Sequence, residues 1–91
     1  EAELLEAFLE RMGKGEPVAY GRTEVEEAVT NGAAEQVLVI DDMVRNRHVA
    51  DLLDRAEKTR AKVTVFSSLF DPGQQLAALG GIAAVLRYRM K

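Results

Sequence analysis

Gln36-Val37-Leu38-Val39-Ile40 decides the fold. The run is apolar without interruption after Gln36 and mostly β-branched, as in strands covered by packing on both faces. It therefore belongs at the centre of a sheet. Downstream, Asp41 or Asp42 is expected to cap a helix reaching about Thr59, with Val49, Leu52, Leu53 and Ala56 pointing inward. On its outer face, Asp51–Arg55 and Asp54–Lys58 stand at i, i+4 and should pair. Upstream, Asn31-Gly32 closes a shorter helix whose inner stripe is Val25, Ala28 and Val29, and Thr23 with Glu26 has capping-box spacing at its start.

The same logic extends to both ends. Leu4, Leu5, Phe8, Leu9 and Met12 share one helical face, and Gly13 and Gly15 stop that helix before Pro17 leads into Val18-Ala19-Tyr20, an expected edge strand. Lys62-Val63-Thr64-Val65-Phe66 alternates and runs into Ser67-Ser68, as a second inner strand with a polar exit would. Asp71-Pro72-Gly73-Gln74 reads as a helix start, with Asp as cap and Pro at the first helical position. That helix carries Leu76 and Leu79 inward. Gly80-Gly81 ends it, and Ile82 to Met90 forms the last strand, with Ala84, Leu86, Tyr88 and Met90 opposite Val85, Arg87 and Arg89. Helices alternating with strands predict an α/β fold: a three-layer α/β/α sandwich around a mixed, largely parallel four-stranded sheet.

Composition narrows function. Ninety-one residues make a single domain, 1–91, and 47% hydrophobic with 30% charged residues suits a folded core. Without Cys there is neither a disulfide nor a thiolate metal site, and His48 is the lone imidazole. No catalytic residue, metal site or cofactor is expected. No apolar run approaches the ~20 residues that cross a bilayer, and Glu1-Ala2-Glu3 resembles neither a leader nor a chain start, so a cytoplasmic fragment of something longer is expected. The net charge of −3 is uneven, with −6 over residues 1–35 and +3 over residues 36–91. An acidic domain makes a poor nonspecific nucleic-acid binder, because neutralising phosphate takes clustered Lys and Arg.

Individual candidates weigh the same way. Asp41 and Asp42 read as helix caps, His48 as a solvated helix residue and Gly80-Gly81 as a turn. Ser67 and Ser68 end a strand, but no Gly-x-Ser-x-Gly and no base accompany them. Arg45, Arg47, Arg87 and Arg89 form the set suited to partner binding, because Arg pairs bidentately with carboxylates and is enriched in interface hot spots. Phe70, an aromatic in a loop, joins them.

Several stretches together resemble a known family. Gly15-Glu16-Pro17-Val18-Ala19-Tyr20-Gly21, Leu38-Val39-Ile40-Asp41-Asp42-Met43-Val44-Arg45, Val65-Phe66-Ser67-Ser68, Gly73-Gln74-Gln75-Leu76 and Gly80-Gly81-Ile82-Ala83-Ala84-Val85-Leu86-Arg87-Tyr88 are similar, in order and spacing, to the third, carboxy-terminal domain of the Pelota family. The closing Gly-Gly-Ile stretch is shared with the class 1 peptide-chain release factors, whereas Phe66-Ser67-Ser68 with its short connection to Gly73 favours Pelota; within that family the resemblance implies an archaeal member. Phe70-Asp71-Pro72 stand where the family commonly shows a His and then an acidic or small polar pair before the Gly, so no role of that His carries over.

The resemblance implies a fold like that of the kink-turn-binding ribosomal proteins, and a protein-docking role in a ribosome-rescue factor. The implied partners are an elongation-factor-like GTPase and a recycling ABC ATPase, with the ribosome contacted through the full-length protein. The kink-turn binders read RNA with Gly-x-Asn-Glu followed by Lys, and here Gly21, Arg22, Thr23, Glu24 and Glu27 align with that motif. Carboxylate in place of Lys argues against direct RNA binding. A kink-turn RNA binder and the equivalent domain of a release factor remain the competing readings, the latter marked by a Gly-Gly-Gln loop upstream.

Overall fold

β2 (Ala34–Ile40) lies between two other strands, as its unbroken apolar run requires. The structure, a computed structural model, describes residues 1–90. Ahead of β2 come α1 (Ala2–Gly13), β1 (Val18–Tyr20) and α2 (Arg22–Thr30). After it come α3 (Asp41–Val44), α4 (Arg47–Lys58), β3 (Lys62–Phe66), α5 (Asp71–Ala78) and β4 (Ile82–Leu86). The sheet order is β1-β4-β2-β3.

Two cores lie on opposite faces of this sheet. Val37 and Val39 of β2 join Ile82, Ala84 and Leu86 of β4 under α2 and α4, where Val25, Val29, Val49 and Leu52 are buried. Leu38 and Ile40 join Ala83 and Val85 on the other face, under Leu5 and Phe8 of α1 and Leu76 of α5. Alternate residues of each central strand thus feed alternate cores, the period of two that a pleated backbone imposes. The expected three-layer sandwich is present.

Several local expectations are corrected. The sheet is mixed, but only β2–β3 is parallel; β4 runs antiparallel to both β1 and β2. Because β4 takes the second side of β2, β3 is an edge strand, which suits its exposed Lys62 and Val65. β4 stops at Leu86, with all five of its residues buried, instead of continuing to Met90. Its partner β1 is short, and Pro17 at the mouth of β1 has no N–H to extend the ladder. Arg55 reaches Glu26 on α2 at 3.4 Å and the Thr30 hydroxyl at 3.2 Å instead of pairing with Asp51, while Asp54–Lys58 forms at 3.2 Å.

The helix starts differ too. Asn46, not Asp41 or Asp42, caps the long helix: its side chain accepts from the N–H groups of His48 (2.9 Å) and Val49 (3.3 Å). Its extended backbone separates α3 from α4. Gly21 takes the cap position of α2 with φ of 87°, so Thr23 lies inside the first turn and caps nothing. A side chain is also unwelcome at Gly80, where a Cβ would come within 3.1 Å of the Gly21 backbone. Phe70 stands at the cap position of α5, which makes Asp71 the first helical residue and Pro72 the second.

Candidate docking surface

Of the four candidate arginines, two are already engaged. After β4 the chain crosses the ends of α2 and α4, and Arg87 donates to the carbonyls of Gly32 (3.2 Å) and Thr59 (2.8 Å). Arg89 donates to the Gly15 carbonyl at 2.7 Å, and between them the Tyr88 hydroxyl donates to the Asn31 carbonyl at 2.8 Å. Cations beside helix-terminal carbonyls meet the negative end of the helix dipole. These two guanidinium groups hold the chain end to three loops.

Arg45 and Arg47 flank Asn46 in the α3–α4 joint and are exposed. Among the described residues the ion pairs are Arg11–Glu16, Lys14–Glu10, Arg55–Glu26 and Lys58–Asp54, which leaves both arginines open to a partner. Arg45 lines a shallow hollow of about 350 Å³ with Asp41, Asp42, Val44 and Val65. Asp41 is held below the ordinary carboxylate range, chiefly by hydrogen bonding to Ser68, with smaller help from the Asp42 amide and the Arg45 charge. Its carboxylate accepts from the Ser68 N–H at 3.3 Å.

That bond ties the α3 end to the loop carrying Phe70, which is exposed as expected. Leu69 beside it is more exposed still, and sequence reasoning passed over it. An apolar pair between a strand end and an Asp-Pro helix start was the available signal. His48 is exposed on the first turn of α4. The backbone N–H groups of Ser67 and Ser68 are held by the carboxylates of Glu1 and Asp41. Among the described residues, no three His, Asp or Glu side chains cluster to hold a metal ion.

Glu24 and Glu27 line a separate groove of about 290 Å³ with Glu16, Pro17, Val18, Leu86, Arg89 and Met90. The one cation there, Arg89, already donates to a carbonyl. The groove lies at the start of α2, the stretch set against the kink-turn motif in the sequence, and its rim carries the carboxylates of Glu16, Glu24 and Glu27.

Residues 1–90 match the family model described as eRF1 domain 3. The protein pelota homolog of Pyrococcus horikoshii is 49% identical over 94 residues, covering 100% of this chain and 26% of the relative. That of Natronomonas pharaonis is 48% identical, covering 99% and 28%. This chain is an eRF1 domain 3. The resemblance seen from Gly15-Glu16-Pro17 through Leu86-Arg87-Tyr88 holds.

Solved structures agree with the Pelota fold. Archaeoglobus fulgidus Pelota, described for its inter-domain structural plasticity, superposes with a TM-score of 0.92 at 42% identity, covering 99% of this chain and 30% of that one. A ribosome-bound archaeal Pelota with ABCE1 gives 0.86 at 43%, covering 98% and 26%. Saccharomyces cerevisiae Dom34, described as a termination-like factor in RNA quality control that interacts with Hbs1, gives 0.88 at 28%, covering 98% and 27%. The chain spans between a quarter and a third of the length of these relatives. No helix among the described residues is long and apolar enough to cross a membrane.

Proposed function

We propose that this chain is the third, carboxy-terminal domain of a longer cytoplasmic Pelota-type protein acting in translation surveillance and rescue of stalled ribosomes. Within that protein the domain docks protein partners and catalyses nothing. By similarity to Dom34 with Hbs1, and to archaeal Pelota with ABCE1 on the ribosome, the partners are an elongation-factor-like GTPase and a recycling ABC ATPase. The observation that carries this reading is the carboxylate rim of Glu16, Glu24 and Glu27, where a kink-turn reader would present cations. With RNA disfavoured on that face, the exposed Arg45 and Arg47 are suited to carboxylates of a protein partner.

Isothermal calorimetry of the folded domain with the cognate GTPase, and separately with the ABC ATPase, tests it. Heat is expected with at least one of them. Arg45→Ala combined with Arg47→Ala should weaken that binding about tenfold or more, a change of ~1.4 kcal/mol. No heat with either partner would remove the docking role.

A further inference from the structure

Leu69 is 81% exposed and Phe70 63%, the two highest values among the large apolar residues, in the loop joining β3 to α5. Neither side chain has a polar atom with which to meet water, unlike the exposed Tyr20 and Tyr88.

This loop is braced along its whole backbone. The Ser67 N–H donates to the Glu1 carboxylate at 3.2 and 3.3 Å, and the Ser68 N–H to that of Asp41 at 3.3 Å. The Leu69 N–H donates to the Ser67 hydroxyl at 3.2 Å, and the Phe70 N–H to the Ser67 carbonyl at 3.4 Å. Gly73 presses against the same carbonyl, leaving no room for a Cβ. Four consecutive N–H groups are satisfied, so the loop has already lost its freedom and presents Leu69 and Phe70 in a set geometry. Pre-organisation of this kind lowers the entropic cost of covering them.

One of the braces is Glu1, the residue before α1. Any polypeptide joined ahead of Glu1 therefore enters the domain within side-chain reach of Ser67, two residues from the apolar pair. We propose that Leu69 and Phe70 pack against the polypeptide preceding Glu1 in the full-length protein, and so set the angle at which this domain is carried. The inference rests on the chain being a third domain, which has polypeptide ahead of it. The occupant is a segment of the same chain because the point of entry and the exposed pair share one hydrogen-bonded corner.

Hydrogen exchange compares the full-length protein with the 91-residue domain. Amides from Leu69 to Gly73 are expected to exchange at least tenfold more slowly in the full-length protein. Leu69→Ser with Phe70→Ser, placed in the full-length protein, should return exchange at the remaining amides of that stretch, Asp71 and Gly73, toward the isolated-domain rate. The same double variant in the isolated domain should melt like the parent, which separates loss of a contact from loss of folding. Equal exchange in the two parent proteins overturns the proposal. Protection that appears only after a GTPase or ATPase partner is added overturns it too, by assigning the pair to that partner. The coding sequence upstream of Glu1 tests the third-domain reading on its own, before any exchange is measured.

Discussion

Gly73 occupies a place that no other residue fits. A Cβ there would collide with the Ser67 carbonyl oxygen, backbone that the Glu1 and Asp41 carboxylates hold in position and that has little room to retreat. Gly73→Ala should cost about 1–3 kcal/mol, read as a lower melting temperature in scanning calorimetry. Gly13→Ala is its control, because nothing lies within 4 Å of a Cβ there and its φ is ordinary. That change should stabilise by up to about 1 kcal/mol. Asp41 makes a prediction in pH. Its pKa is lowered in the folded protein from the ordinary 3.8, first through hydrogen bonding to Ser68, so the unfolded chain takes up the proton more readily than the folded one. The carboxylate thus stabilises the fold above pH 3.8, and that contribution is lost as pH falls below it through the lowered value. Asp41→Asn should be less stable than the parent at pH 7, with the gap closing below pH 3.8 in parallel melts. A gap of constant size across that range would assign the effect to shape instead of charge.

Helix starts separate what is local from what is not. Asp41 and Asp42 have cap chemistry and Thr23 with Glu26 has capping-box spacing, yet the side chain that caps α4 is Asn46, which the sequence reading passed over. The winner depends on where the preceding strand ends: β2 runs to Ile40, which puts Asp41 and Asp42 inside α3 and leaves Asn46 to cap α4. Asn46→Ala should therefore cost about 1 kcal/mol, whereas Thr23→Ala should stay within about 0.5 kcal/mol of the parent. Chemical denaturation of both variants checks the pair, and the reverse ranking would restore Thr23 as the cap. The stripes of α1 and α4 and the apolar run of β2 were legible, because their periods are local properties of the chain. The insertion of β4 antiparallel between β1 and β2 was not, because pairing joins residues such as Val37 and Ala84 that are far apart in sequence. The site divides in the same way. Arg45, Arg47 and Phe70 are exposed as expected, but only the fold shows Arg87 spanning Gly32 and Thr59, or Arg89 reaching Gly15.

At the scale of the whole molecule, charge placement decides between a protein and an RNA partner. The net charge is −3, and the acidic excess lies in residues 1–35, the part holding α2 and the groove rimmed by Glu16, Glu24 and Glu27. Phosphate binding gains its free energy from cations that release condensed counterions, with the apparent affinity falling steeply as salt rises. Carboxylates at the same positions repel the backbone, and most strongly at low salt, where screening is weakest. In a gel shift at ~50 mM salt the domain should leave a kink-turn RNA unshifted even at about 10 µM protein, conditions under which basic RNA binders hold RNA nonspecifically. Glu24→Lys with Glu27→Lys raises the net charge to +1 and places both new cations on the exposed face of α2. This variant should retard the RNA weakly and release it as salt is added, which would assign the silence of the parent to charge and not to shape. Retardation by the parent itself, lost on adding salt, would mean that cations elsewhere on the surface outweigh this groove, and RNA would then displace protein as the partner.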